Sequence, residues 1–425
     1  MLLEFTVENF LSFKDSTTFS MLASADNSFE AENTSLIKNV RLLKSSVIYG
    51  ANASGKSNLC KALRFMKFFV LNSSRETQIT DTIAIEPFRL NFENENQPSK
   101  FELVFYMEEE LIKYGFECNK EKILSEWLIV QPKTKPAQLF SRVEQNIKIG
   151  DLFKEAHGLD SITRTNALFL SVVAQFNGDY AKKILEWFKN FNVISGLEDH
   201  AYSNYTMQQM KNDSFRKKIV EFVKMADLGI DDISVQETEL TNDTLPVEMP
   251  EHIRKIFQTG KNMRRIETLV KHKRYKNGKF LDWQDFNLEI NESEGTKKLF
   301  SLSAPLIDTL SNGKVLVIDE LDARLHPIIT QKIVRLFNSK DSNPNNAQLI
   351  IATHDTNLLS NKLFRRDQIW FTEKKEDGST DLYSLSEYKE ENKTIRKDSS
   401  FSKDYVSGRY GAIPFLGNFR NIVKK

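Results

Sequence analysis

The run Ser46-Val47-Ile48-Tyr49-Gly50-Ala51-Asn52-Ala53-Ser54-Gly55-Lys56-Ser57 reads as an apolar strand, a glycine-bounded loop and the opening of a helix. Beyond it Leu59, Leu63, Met66 and Val70 recur at helical spacing, so strand, loop and helix follow in order. Gly50 to Ser57 satisfies G-x-x-x-x-G-K-[ST]. Glycines at both ends of such a loop let the backbone N–H groups wrap phosphate oxygens, and the helix N-terminus adds a positive dipole. In that arrangement Lys56 reaches the β and γ phosphates and Ser57 ligates Mg²⁺, while Gly50, Asn52, Ser54, Gly55 and Asn58 complete the cradle. A glycine loop before a helix by coincidence is the competing reading. With 16 glycines among 425 residues, that coincidence is unfavoured.

A phosphate loop alone does not choose among nucleotide enzymes, and the downstream order narrows the choice. Lys314-Val315-Leu316-Val317-Ile318 is a β-branched run of the kind found in buried parallel strands, and it ends in Asp319-Glu320. Acids at the C-terminal end of such a strand face the nucleotide crevice. There Asp319 would hold Mg²⁺ through water, and Glu320 would polarise the attacking water. A buried strand that simply meets solvent at two acids is the plainer alternative. Upstream, Ser293-Glu294-Gly295-Thr296 opens a helical pattern of Leu299, Leu302 and Leu306, which taken alone is an N-cap. Downstream, Ile350-Ile351-Ala352-Thr353-His354-Asp355 is a strand that ends in histidine.

This order resembles that of the ABC ATPases, and the segments ESEGTKKL, VLVIDELDARLHP and IIATHD look like those of the RecF/SMC type. The tail, DQIWFTEK followed by YVSGRYGAIP, resembles a narrower group, the RloA/AbiLi-like ATPases of phage-defence loci, which include the AriA subunit of PARIS. The resemblance implies a head-to-tail homodimer with two composite ATP sites. Gly50 to Ser57 of one chain would hold Mg-ATP, and Ser293 and Gly295 of the other would close over it. It further implies Glu320 as the base, His354 as the γ-phosphate sensor and Asp322 as a contact across the dimer. The usual L-S-G-G-Q is replaced by Glu292-Ser293-Glu294-Gly295-Thr296, so its glutamine has no counterpart.

The rest of the chain falls into three stretches. To residue 170 the pattern is strand-rich: Leu3, Phe5 and Val7 alternate with polar partners, and Phe13 to Met21 reads as a return strand. Phe101-Leu103-Phe105, Tyr114-Phe116 and Trp127 to Val130 look like a meander. From 171 to 285, Tyr180, Ile184, Leu185 and Phe188, then Phe215, Ile219, Phe222 and Val223, mark amphipathic helices. A hairpin turn at Lys276-Asn277-Gly278-Lys279 closes that stretch. The expected architecture is α/β, an ABC-type P-loop NTPase whose core is split between 1–170 and 286–425. It would carry an N-terminal β-rich lobe and, at 171–285, a mostly helical insertion ending in a β-hairpin.

Lys and Arg number 59 against 58 Asp and Glu, a net charge of +1, which argues against nucleic-acid binding by bulk electrostatics. Locally, residues 231–251 are acidic and 252–279 basic. Solvated strand faces beside an acidic neighbour, or a nucleic-acid or partner surface, both fit that run, so nucleic acid stays an open partner. Arg265 and His272 match an R-x6-H ribonuclease spacing, but on an expected strand. Tyr405 to Pro414 suits either a structural lock or a docking surface. Cys60 and Cys118 offer neither a disulfide framework nor a zinc site. The N-terminus lacks signal-peptide character and no apolar run is long enough to span a membrane, so a cytoplasmic protein without membrane contact is expected.

Two functions follow. The first is an ATP-dependent sensor or regulator in an anti-phage system, with ATP and Mg²⁺ as cofactors. Its effector, a Toprim-type nuclease for example, would be encoded nearby, because the residues after His354 carry no nuclease ligands. A phage-derived trigger belongs to that reading. The second is a RecF-like ATP-dependent DNA-repair protein, motivated by the basic run.

Overall fold

The computed structural model describes residues 1–132, 135–226, 229–239, 264–390, 393–396 and 399–414. The chain divides into two compact units. The first holds Met1–Leu197, Thr309–Ala323 and Pro327–Lys425; the second holds Glu198–Asp308 and Arg324–His326.

The first unit is built on two sheets. One has seven antiparallel strands in the order Asn146–Ile149, Ala137–Val143, Ile123–Gln131, Glu110–Cys118, Ser99–Met107, Leu2–Glu8 and Thr17–Ser20. It is the β-rich lobe expected from the alternating N-terminal pattern. The other has six strands in the order Phe191–Ser195, Val315–Asp319, Gln348–Ala352, Ser45–Gly50, Ile369–Lys374 and Thr380–Ser384. All of its neighbours are parallel except the last pair. Parallel strands covered on both faces need continuous apolar runs, and Gln348–Ala352 is buried along its whole length.

The helix Lys56–Asn72 lies in the core between these sheets. Leu59, Leu63, Met66 and Val70 are fully buried, in one cluster with Phe101, Leu103 and Phe116 of the lobe and Val317, Ile350 and Ala352 of the parallel sheet. Each such side chain contributes about 1.5–3 kcal/mol on burial, so this stripe fixes the helix against both sheets. No helix among the described residues is long and apolar enough to cross a membrane.

The second unit contains the helices His200–Gln209 and Asp213–Lys224 and a three-stranded antiparallel sheet, Ile230–Glu239, Arg264–Lys276 and Lys279–Asn287. The expected hairpin is present. Asn277 and Gly278, with φ of 53° and 76°, make its tight turn, and left-handed residues at both positions match the strand twist. A third strand, Ile230–Glu239, pairs along the other edge of Arg264–Lys276, so the unit is less helical than its periodicity implied. The junction of the acidic and basic runs, residues 240–263, lies outside the described residues.

The partition also differs from the expected 171 and 285. Helix Asp179–Lys189 packs on helix Lys56–Asn72, and Phe191–Ser195 pairs in parallel with Val315–Asp319, which ties residues 171–197 to the first unit. A strand of five residues with two polar members gives too little periodicity to be read from sequence. Residues 286–308 group with the second unit.

Candidate functional site

The parallel order brings the C-terminal ends of three strands to one edge of the sheet. In register, Asp319 stands beside Ala352 and Ala352 beside Ile48, two residues before Gly50. This is the edge at which open α/β sheets hold ligands. Gly50 to Gly55 leaves it as a loop, and Lys56 begins the helix.

Within the loop, Gly55 has φ of 113° and a Cβ added there would lie 2.1 Å from Thr380 Oγ1, so only glycine fits. Lys56 is 5% exposed, and its ammonium donates to the carbonyls of Gly50 at 2.8 Å and Ala51 at 3.0 Å. Burial pulls its pKa down to about 8, against the attraction of Asp319, Glu320 and Asp322. An ammonium held against the loop's own carbonyls, in sight of three carboxylates, is a cation placed to meet polyphosphate. Asn52 and Ala53 are exposed at the loop tip, and Ser54 is buried.

Ser57 hydrogen-bonds the carboxylate of Asp319, whose pKa is raised by burial and lowered in turn by Ser57, Lys56, Lys61 and Arg64. Asp319 Oδ1 is buried and has no hydrogen-bond partner. An orphaned carboxylate oxygen beside a serine hydroxyl is a donor set of the hard-oxygen kind that suits Mg²⁺. Glu320 takes φ of 57°, and its N–H donates to Ala352 O at 2.9 Å. A left-handed turn at a glutamate costs about 1–2 kcal/mol. It swings the carboxylate out of the strand direction just where the strand meets the loop.

The next turn is tied down by Thr353, whose hydroxyl donates to Asp322 Oδ1 at 2.6 Å and accepts from the Asp355 N–H at 2.9 Å. His354, between them, is exposed. Partial desolvation of its ring and the Lys56 charge lower its pKa, and Asp322, Glu320 and Asp319 offset this only in part. Lys56, Ser57, Asp319, Glu320, Asp322 and His354, singled out from three separate segments, therefore share one electrostatic neighbourhood.

The family model described as "AAA domain, putative AbiEii toxin, Type IV TA system" matches residues 45–360, from the first strand residue before the phosphate loop to just past His354. The chain belongs to this AAA family. Its fold sets a seven-stranded antiparallel lobe beside a six-stranded, mostly parallel sheet from which the Gly50–Gly55 loop leaves. Similar solved structures include the SMC head domain from Thermotoga maritima, at 13% identity and TM-score 0.42, covering 90% of this chain and 98% of that one. They also include the recombination mediator protein RecF bound to ATPrS, at 14% identity and TM-score 0.35, with 90% and 98% covered. A third is the Smc head domain with the C-terminal domain of ScpA from Pyrococcus furiosus, at 12% and 0.36, with 90% and 96% covered. No curated protein matches the chain.

In this AAA-family chain the second unit holds Ser293 and Gly295. Ser293 caps the helix Glu294–Asn312, accepting from the Thr296 N–H at 3.2 Å. A Cβ on Gly295 would stand 2.9 Å from the carbonyl of Arg324, and the Arg324 guanidinium bridges Asp199 at 3.0 Å and Glu294 at 3.5 Å. His272 of the ribonuclease-like spacing pairs with Glu292 at 2.8 Å on a strand.

The residues that support the loop from behind escaped the sequence reading. Ser54 shares a hydrogen bond of 2.6 Å with Thr372, and Thr380 donates to the carbonyl of Ser54 at 2.9 Å and shares a hydrogen bond of 2.7 Å with Ser12. Asn58 donates to Ser12 at 2.7 Å. A cavity of 310 Å³ adjoins the loop here, lined among others by Ser12, Ala53, Asn58, Arg89 and Lys374. Lone Ser and Thr residues in strands carry no spacing signal. The DQIWFTEK tail that marked the resemblance does hold Thr372, and it forms the strand next to the phosphate-loop strand. The Tyr405–Pro414 segment is packed onto the same sheet. The Tyr405 ring lies 5.7 Å from that of Tyr49 and 5.4 Å from that of Phe371, and Tyr383 donates to Tyr410 O at 2.7 Å.

Proposed function

We propose that this chain is an ATP hydrolase of the ABC type, working as the ATP-driven sensor or regulator of an anti-phage system and controlling a separately encoded effector such as a Toprim-type nuclease. The observation that carries the ATPase reading is the placement of Lys56, Ser57, Asp319 and Glu320 around one loop at the C-terminal edge of a parallel sheet. In the mechanism, the Gly50–Ser57 backbone N–H groups bind the phosphates. Lys56 exchanges its two carbonyl partners for phosphate oxygens and regains a full positive charge there. The 310 Å³ cavity beside Ala53 and Asn58 would receive part of the nucleotide next to the loop. Ser57 and Asp319 would hold Mg²⁺, which would neutralise charge on the β and γ phosphates.

Glu320, turned out of its strand by the left-handed backbone, accepts a proton from the attacking water. His354 would donate to the γ phosphate as a largely neutral imidazole, given the downward pull on its pKa. Ser293 and Gly295 would close over the nucleotide of a second copy through an exposed helix N-terminus, and Asp322 would contact that copy. Such a dimer couples nucleotide state to the surface offered to an effector. The family description, with its toxin and type IV toxin–antitoxin terms, and the tail resembling the RloA/AbiLi-like group support the defence assignment.

The test is ATP turnover together with co-purification of the neighbouring gene product, in wild type, Lys56→Ala and Glu320→Gln. Hydrolysis that persists in Glu320→Gln sinks the catalytic assignment, and failure to retain any neighbour-encoded protein in every nucleotide state sinks the regulatory one. The RecF-like alternative draws on one observation, an exposed basic and aromatic hairpin in which Lys273 lies 5.6 Å from the Trp283 ring centroid and Tyr275 and Phe280 face solvent. ATP-stimulated, salt-dependent DNA binding that disappears when Lys271, Lys273 and Arg274 are reversed in charge would favour it.

A further inference from the structure

Lys44 immediately precedes the strand Ser45–Gly50, so it sits at the end of that strand opposite the phosphate loop, roughly 20 Å away at strand rise. Its side chain is 1% exposed, although lysine is almost never fully buried unless paired. Lys44 makes no ion pair among the described residues. Among the described residues its ammonium donates only to the carbonyl of Asn338 at 3.5 Å, at the outer limit for such a bond. Burial lowers its pKa, the Lys340 charge lowers it further, and the Glu32 carboxylate, which forms no ion pair with it, opposes them. A buried, unpaired ammonium facing a second ammonium destabilises the fold and is not expected to persist without a compensating charge.

A cavity of 590 Å³ opens beside it, lined among others by Lys44, Lys340, Arg41, Leu36, Pro344 and Asn346. Glu30 also lines it, but that carboxylate is engaged by Arg41 at 2.6 Å, so the pair is neutral and the two lysines leave the cavity positive. Its volume falls in the range of small-ligand sites, and Leu36 and Pro344 supply apolar wall next to the charged end.

We propose that this cavity is a second anion site, distinct from the phosphate loop, that takes the phosphate group of a small phosphorylated ligand between Lys44 and Lys340. Phosphate there accepts charge-assisted hydrogen bonds from two ammonium groups and removes the repulsion between them. The site would let a phosphorylated metabolite or nucleotide product act on the sheet that carries the ATPase loop, from its other end.

The experiment is calorimetric titration of inorganic phosphate into the full chain in four forms: wild type, Lys56→Ala, Lys44→Met and Lys340→Ala. Phosphate bound in the ATPase loop disappears in Lys56→Ala, which separates the two sites and leaves the hydrolase reading to its own test. The expected result is a saturable site that survives Lys56→Ala, weakens about tenfold or more in Lys44→Met, and weakens severalfold in Lys340→Ala, as loss of one charge-assisted bond implies. Lys44→Met should fold with an equal or higher melting temperature, because an apolar chain of similar length replaces the buried charge. Should that variant fail to fold, the exposed Lys340→Ala still decides. Absence of saturable binding in Lys56→Ala, or binding that neither lysine variant alters, overturns the proposal.

Discussion

Replacing Gly55 by alanine should disable the phosphate loop through the strand behind it. The alanine would have to hold φ of 113°, which costs about 1–2 kcal/mol for an L residue. Its methyl group would stand 2.1 Å from Thr380 Oγ1, 2.7 Å from Cγ2 and 2.9 Å from Cβ, so Thr380 has to leave. With it go the hydrogen bonds to Ser54 O and Ser12 Oγ, about 1 kcal/mol each. The sum is about 3–4 kcal/mol, or roughly 10²–10³-fold in affinity if the loop rather than the body yields. Fluorescent ATP-analogue binding reads the first outcome, and the urea midpoint reads the second. Thr380→Gly removes the clash, so the double variant should be less impaired than the sum of the singles by more than about 1 kcal/mol. Wild-type affinity and midpoint in Gly55→Ala would refute the reasoning. Additivity within about 0.5 kcal/mol would place Thr380 away from the loop.

Glu320→Gln should bind ATP normally yet hydrolyse it about 10²–10⁴-fold more slowly, and should accumulate as a dimer in light scattering with ATP present. Lys56→Ala should lose measurable nucleotide affinity in the same binding assay, since it removes the cation among three carboxylates. Tyr405→Ala should expose the Tyr49 and Phe371 rings, cost about 3–5 kcal/mol and make the C-terminal segment sensitive to limited proteolysis, whereas Tyr405→Phe should lose only the bond to Ala412 O, about 1 kcal/mol. Glu126 is fully buried and accepts the N–H groups of Phe169 and Leu170, with Arg142 at 3.6 Å, so Glu126→Ala should destabilise by about 3–5 kcal/mol in urea melts. Burial raises the Glu126 pKa above its ordinary 4.5, so the folded state binds this proton more tightly; the resulting stability is fully present below 4.5 and lost as pH rises through the raised value, a slope that Glu126→Gln should flatten.

What could be read in advance was what repeats or what is locally dictated. The lobe strands alternate, helix Lys56–Asn72 carries its stripe, and the phosphate loop is written in contiguous residues, with a glycine at position 55 where φ of 113° requires one. Asp319, Glu320 and His354 could be placed at strand ends in advance, because two buried parallel strands each end abruptly in polar groups. The backing of the loop was not, because Ser12, Thr372 and Thr380 act through a meeting of distant segments, and a hydroxyl in a strand looks the same whether it faces solvent or a carbonyl. The unit boundary was misjudged for a related reason. Phe191–Ser195 joins the parallel sheet through its partner Val315–Asp319, a pairing that local periodicity does not encode. Lys44 was not singled out either, since its burial without an ion pair among the described residues shows only in the fold.

The strand order also makes the phosphate loop depend on segments far along the chain. Ser45–Gly50 is completed on one side by Gln348–Ala352 and on the other by Ile369–Lys374, so neither face of the loop exists until residues some three hundred positions later have folded. Tyr49 shows how tight the dependence is. Its ring lies against Tyr405, its hydroxyl donates to the carbonyl of Asp355 at 3.0 Å, and its chain neighbours are Ile48 and Gly50, the last residue of the strand. Asp355 in turn follows His354 directly and is bonded through Thr353 to Asp322. A single aromatic side chain thus links the C-terminal segment, the phosphate loop and the histidine turn. A displacement of Tyr405 should therefore be felt at the loop and at His354 together, by contact rather than through a flexible tether, because the C-terminal segment packs on the strand that carries the loop.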